Sequence, residues 1–89
     1  LYTINGVGKM AIQISEEYLK KGNEVDITSQ GNAPRNFRIS IRYNEIFSRF
    51  EVFRHYYRTK KNEVEYHSKN LKDIVDYIKS MYGVDFEIS

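Results

Sequence analysis

Residues 37–43, Phe37-Arg38-Ile39-Ser40-Ile41-Arg42-Tyr43, alternate apolar and polar side chains without a break. Successive side chains of a strand point to opposite faces, so this period of two predicts a half-buried antiparallel strand with Arg38 and Arg42 on the open face. Asn44-Glu45 has turn composition and predicts a hairpin into a second strand from Ile46 to about Arg58, in which Ile46, Ser48, Phe50 and Val52 keep one phase. Phe53 follows Val52 directly and breaks that phase, which predicts a bulge or strong twist at Val52-Phe53. Thr59-Lys60-Lys61-Asn62 reads as a second turn, and Glu63 to His67 as a third strand with Val64 and Tyr66 inward.

On either side of this meander the periodicity changes. Downstream, Leu71, Ile74, Val75, Ile78, Met81 and Tyr82 mark one stripe of a helix that Ser68 or Asn70 caps and Gly83 ends, and Val84 to Ile88 alternates as a last edge strand or tail. Upstream, Val7, Met10, Ala11, Ile14 and Tyr18 fall at helical spacing and predict a helix over 7–21 that Gly22-Asn23 stops. Leu1 to Asn5 and Glu24 to Thr28 have the pattern of short strands, and Ser29 to Pro34 that of a loop. The expected architecture is α+β: one domain over 1–89, a three-stranded antiparallel sheet packed against an N-terminal and a C-terminal helix.

The chain has no Cys and two His, which argues against a disulfide framework, a thiolate nucleophile or a cysteine zinc site. No apolar run approaches a membrane span and no signal-like leader is evident, so a cytoplasmic protein is the expectation. The net charge of +2 is too small to announce a nucleic-acid binder, yet its distribution is uneven. Residues 1–34 carry −1, residues 35–61 carry +6 and residues 62–89 carry −3. All six arginines lie between Arg35 and Arg58, together with Phe37, Tyr43, Phe47, Phe50, Phe53, Tyr56 and Tyr57. Arginine is the residue of planar, bidentate and stacked recognition.

Four constellations compete for function. Gly6-Val7-Gly8-Lys9-Met10-Ala11, after a short strand and opening a helix, has the form of a dinucleotide fingerprint. The acid that should hold a ribose would fall near Ser29, and a meander follows where parallel strands are required, so no cofactor is expected. The arginine face is the second: Arg38, Arg42 and Arg49, joined by Arg54 or Arg58, form a ribbon suited to a major groove, with Lys60 and Lys61 on phosphates. Cross-strand pairing of these arginines with Glu51, Glu63 and Glu65 is its structural alternative. Third, His55 and His67 would approach each other if their strands pair, but a sheet face offers no cleft for acid-base work, and neither they nor the solvated Asp73 and Asp76 predict an enzyme. Fourth, the same Arg/Tyr surface suits a protein partner. The bias toward Ile, Asn, Lys and Tyr is that of an AT-rich genome and is compatible with a small phage or mobile-element regulator or inhibitor that blocks a host protein.

The segment from Phe37 to Tyr82 resembles the small DNA-binding domain shared by AP2 transcription factors and the amino-terminal arms of tyrosine integrases. The resemblance rests on the alternating first strand, the long aromatic second strand, the Lys60-Lys61 turn, Tyr66-His67-Ser68 and the apolar helix behind them. It implies a sheet face, here Arg38, Arg42, Arg49, Arg54 and Arg58, lying in the major groove. With the first helix added, the order α-β-β-β-α is also similar to that of double-stranded-RNA-binding domains, whose last helix opens with lysines; Lys69 and Lys72 stand there, diluted by Asp73 and Asp76. The sequence therefore points to a non-enzymatic nucleic-acid-binding module preferring duplex DNA, through Arg38, Arg42, Arg49, Arg54, Arg58, Lys60 and Lys61. A protein-binding regulator is the alternative.

Overall fold

The computed structural model describes residues 2–4, 10–28 and 36–89. Its elements, in chain order, are β1 (Tyr2–Ile4), β2 (Met10–Ile14), α1 (Glu16–Lys20), β3 (Val25–Asp26), β4 (Phe37–Asn44), β5 (Arg49–Tyr56), β6 (Asn62–Ser68), α2 (Leu71–Tyr82) and β7 (Phe86–Ile88). They form an antiparallel four-stranded sheet of order β3-β4-β5-β6 and a three-stranded sheet of order β1-β2-β7, in which β1 pairs antiparallel and β7 parallel with β2. The α+β class is as expected, and the large sheet gains a fourth strand from the short edge β3.

The N-terminal helix expected over 7–21 is largely corrected. Residues 7–9 lie outside the described residues; among the rest Met10–Ile14 is a strand and Glu16–Lys20 alone is helical, opened by the Ser15 side chain, which accepts from the Tyr18 N–H, and followed by Gly22 at φ 96°. Met10, Ala11 and Ile14 suit helix spacing, but Ala11-Ile12-Gln13-Ile14 also reads as a β-rich run; pairing on both edges with β1 and β7 decides for the strand. The Gly6-Val7-Gly8-Lys9 part of the fingerprint lies outside the described residues. Its continuation at Met10-Ala11 opens no helix, and β1 runs antiparallel to β2, contrary to a parallel βαβ unit.

The second helix stands where its stripe placed it. Asn70 caps it by accepting from the Lys72 N–H, Gly83 ends it in the left-handed region at φ 69°, and Leu71, Ile74, Val75, Ile78 and Tyr82 are buried, while Met81 stays exposed. These side chains meet Phe37, Ile39 and Ile41 of β4 and Phe50 and Val52 of β5 in one core, joined by Ile14, Leu19, Ile27, Val84 and Phe86. Each fully buried aliphatic side chain there contributes about 1.5–3 kcal/mol. Among the described residues no helix is long and apolar enough to cross a membrane.

Two details of the meander differ from expectation and reposition the arginines. The turn spans Glu45 to Ser48, so β5 starts at Arg49; Ile46 and Phe47 are 88% and 60% exposed rather than in the strand's apolar phase. Asn44 Oδ1 accepts from the Ile46 and Phe47 N–H groups, and Ser48 adopts φ 51°, which fixes this longer turn. The irregularity at Val52/Phe53 is present, but on the partner strand. β5 stays in unbroken register with β4, whereas opposite β6 Val52 pairs with Tyr66 and Phe53 with Val64, leaving Glu65 as the extra residue. Tyr66 and Val64 therefore point to opposite faces instead of both inward.

Candidate nucleic-acid interface

Register assigns the faces of the large sheet. Arg38, Ser40, Arg42 and Asn44 of β4 lie opposite His55, Phe53, Glu51 and Arg49 of β5, and these side chains make the face away from the helices. Ile39 lies opposite Arg54 and Phe37 opposite Tyr56, so Arg54 belongs to the helix-covered face. Arg38, Arg42 and Arg49 thus share the outer face as expected, while Arg54 is excluded from it.

The outer arginines are held internally. Glu51, fully buried, accepts from Arg42 Nε at 2.9 Å, Arg49 Nε at 2.8 Å and Asn44 Nδ2 at 3.1 Å. Burial works to raise the Glu51 carboxyl, but the hydrogen bonds from Arg49, Arg42 and Asn44 outweigh it and hold it below the ordinary carboxylate range. The Arg42 guanidinium also lies 3.8 Å from the Phe53 ring centre, and that of Arg49 lies 4.8 Å from Phe47. Arg38 reaches Asp26 at 3.8 Å, and Ser40 donates to Glu24 at 2.9 Å. The three arginines on this face therefore meet two carboxylates, Asp26 and Glu51, while Glu24 holds Ser40 beside them.

Arg54 is built into a second cluster under α2. Its Nε donates to Glu65 at 2.7 Å, its Nη1 to Tyr56 Oη at 2.9 Å, and its guanidinium lies 4.5 Å from the Phe37 ring centre. Glu65, brought inward by the bulge, also accepts from the Tyr77 and Tyr82 hydroxyls, the latter at 2.6 Å. Burial opposes ionisation of Glu65, and the bonds from Tyr77, Tyr82 and Arg54 more than offset it, so its pKa is lowered. Burial and the Glu65 contact push both tyrosines up in turn. Sequence reasoning missed this cluster. The available signal was Tyr77 and Tyr82 on the helix, since a buried tyrosine hydroxyl needs an acceptor.

The cations left without a carboxylate partner among the described sheet residues gather at one end. Arg58, Lys60 and Lys61 lie in the turn joining β5 and β6, all exposed. The turn is closed by bonds from Lys60 N to Tyr56 O and from Tyr56 N to Lys61 O, and Lys60 sits at φ 61°. Arg38, paired across β4–β5 with His55, lies toward the same end of the sheet; Ile46 and Phe47 mark the opposite end. Arg35 lies outside the described residues. Lys69 and Lys72 stand at the start of α2, where Lys72 bonds Asp76 at 2.8 Å.

The two histidines are not brought together. His67 faces Glu51 across β5–β6, whereas His55 faces Asn62 and contacts its side-chain oxygen through Nδ1 at 2.6 Å, four residues further along β5. Among the described residues no group of three or more His, Cys, Asp or Glu is placed to hold a metal ion. Comparison with protein families, with curated proteins and with solved structures returned no match.

Proposed function

We propose that the chain is a non-enzymatic nucleic-acid-binding module that grips phosphates through the β5–β6 hairpin end. The observation that carries this reading is the contrast between the two groups of cations. Arg42, Arg49 and Arg54 are engaged by Glu51 and Glu65, whereas Arg58, Lys60 and Lys61 project from one hydrogen-bonded turn with no such partner among the described residues. Contacts of this kind fix position on the backbone and carry little sequence information, so the binding is read as weakly sequence-specific. The resemblance of 37–82 to sheet-type DNA-binding domains supports the class of ligand; the ties of Arg42 and Arg49 to Glu51 move the proposed contact from the sheet surface to its end.

The test is fluorescence anisotropy with a short duplex at about 50 and about 200 mM salt. Wild type should bind with affinity that falls steeply with salt, at a slope of about −0.9 per phosphate contact. Arg58→Ala/Lys60→Ala/Lys61→Ala should lower that slope by about 2–3, and Arg42→Gln/Arg49→Gln/Glu51→Gln, which leaves no lone buried charge, should leave it nearly unchanged where circular dichroism shows the variant folded. No salt-sensitive binding by wild type to duplex or single strand would remove the proposal.

One observation favours a second reading, a regulator or inhibitor that binds protein. Ile46 and Phe47 are exposed on a fixed turn beside Arg49, an apolar and arginine-containing tip of the type enriched in interface anchors.

A further inference from the structure

The hairpin end has a recess beside its cations, lined by Asn36, Tyr56, Tyr57, Arg58 and Thr59. Its wall is fixed: the Tyr56 ring packs on Phe37 with centroids 5.0 Å apart, and its hydroxyl donates to Glu63 at 3.1 Å and accepts from Arg54 at 2.9 Å. Tyr57, by contrast, is 45% exposed. A second recess on the other side of the turn is lined by Tyr56, Thr59, Lys61, Asn62 and Glu63. Glu63 makes that recess less favourable to a polyanion, whereas the Asn36 recess has no acidic lining residue among the described residues.

We propose that the recess between Asn36 and Tyr57 takes an unpaired nucleobase, so that the module prefers single-stranded over duplex nucleic acid. This rests on the nucleic-acid reading above and specifies its ligand. A base inside a duplex has both faces stacked on its neighbours; an unpaired base has a face free for an aromatic ring. Aromatic platforms next to tracking cations are the arrangement by which single strands are held without strong sequence preference. Tyr57 supplies the ring, Arg58 lies in the same lining, and Lys60 and Lys61 follow along the turn for the flanking phosphates. The Asn36 side-chain amide offers one acceptor and two donor hydrogens to a base edge. On the outer sheet face Arg42 and Arg49 are half-buried and tied through Nε to Glu51, so they offer less to a duplex groove than the open turn does.

The experiment titrates wild type, Tyr57→Ala and Tyr57→Phe with a single-stranded deoxyoligonucleotide containing 2-aminopurine and with its duplex. Tyr57 is exposed, and circular dichroism checks that each variant folds. The expected result is tighter binding of the single strand, quenched 2-aminopurine fluorescence, and a loss of about ten-fold or more on the single strand for Tyr57→Ala, with Tyr57→Phe close to wild type. The salt slope should stay that of wild type, because no charge is removed. Equal binding of both forms with no effect of Tyr57→Ala would overturn the base recess and leave the phosphate grip standing. Absence of salt-sensitive binding to either form would overturn both.

Discussion

Glu51 and Arg42 face each other directly across the β4–β5 register, and the fully buried carboxylate accepts the Arg42 Nε–H at 2.9 Å while Arg49 closes on its other oxygen at 2.8 Å. A lone buried carboxylate on the outer face of a sheet would be costly. Two guanidinium groups and the Asn44 amide satisfy it and at the same time roof it from water. The most basic stretch of the sequence is thereby turned into structure along much of its length.

Removing that carboxylate should unfold part of this arrangement. Glu51→Gln should destabilise the protein by about 1–3 kcal/mol, read as a lower denaturant midpoint. Arg42 and Arg49 keep some access to water, which limits the loss, and the freed guanidinium groups should steepen the salt dependence of duplex binding.

Acid should destabilise the fold through the same groups. Glu51 and Glu65 both titrate lower when folded than the roughly 4.3 of an unfolded glutamate. Their contribution is therefore complete above that value and is lost as pH falls through the folded pKa values. Thermal melts should show a Tm that falls below about pH 4.3, and Glu51→Gln/Glu65→Gln should flatten that limb. An unchanged acid limb in the double variant would contradict the assignment.

The Glu65 cluster should behave as one unit. Tyr82→Phe removes a hydroxyl bonded to the buried carboxylate and should cost about 1–3 kcal/mol. In a double-mutant cycle with Glu65→Gln the two losses should couple by more than about 0.5 kcal/mol. Strict additivity by denaturant titration would argue that the bulge does not deliver Glu65 to α2.

The exposed tip should matter little to folding. Ile46→Ser should change stability by less than about 0.5 kcal/mol, because Ile46 is already in water in the free protein. A large loss in urea titration would mean that Ile46 belongs to the strand and the core, as its place in the apolar phase of the sequence suggests.

Much of the large sheet and the second helix was legible because one period ran through each. Phe37 to Tyr43 alternates through a whole strand, and Leu71 to Tyr82 repeats its apolar stripe between an Asn cap and a Gly stop. Met10–Ile14 was not, since five residues satisfy both periods and only the partners β1 and β7 choose between them. The bulge was visible as a broken phase at Val52-Phe53, but the sequence of one strand cannot say which strand carries the extra residue. With the extra residue on β6, β5 keeps its alternation and holds Arg54 on the inner face, and Glu65 is brought in as its partner. Whether Arg42 and Arg49 were free depended likewise on a register that brings Glu51 opposite them, and residue types alone do not fix register.

Arginine side-chain NMR tests the central claim most directly, because the Nε–H of Arg42, Arg49 and Arg54 are the donors to Glu51 and Glu65. These three Nε–H resonances should be dispersed and slow to exchange with water, and that of Arg58 should be averaged and fast. Rapid exchange at Arg42 and Arg49, indistinguishable from Arg58, would contradict the account and return a free arginine face to the sheet.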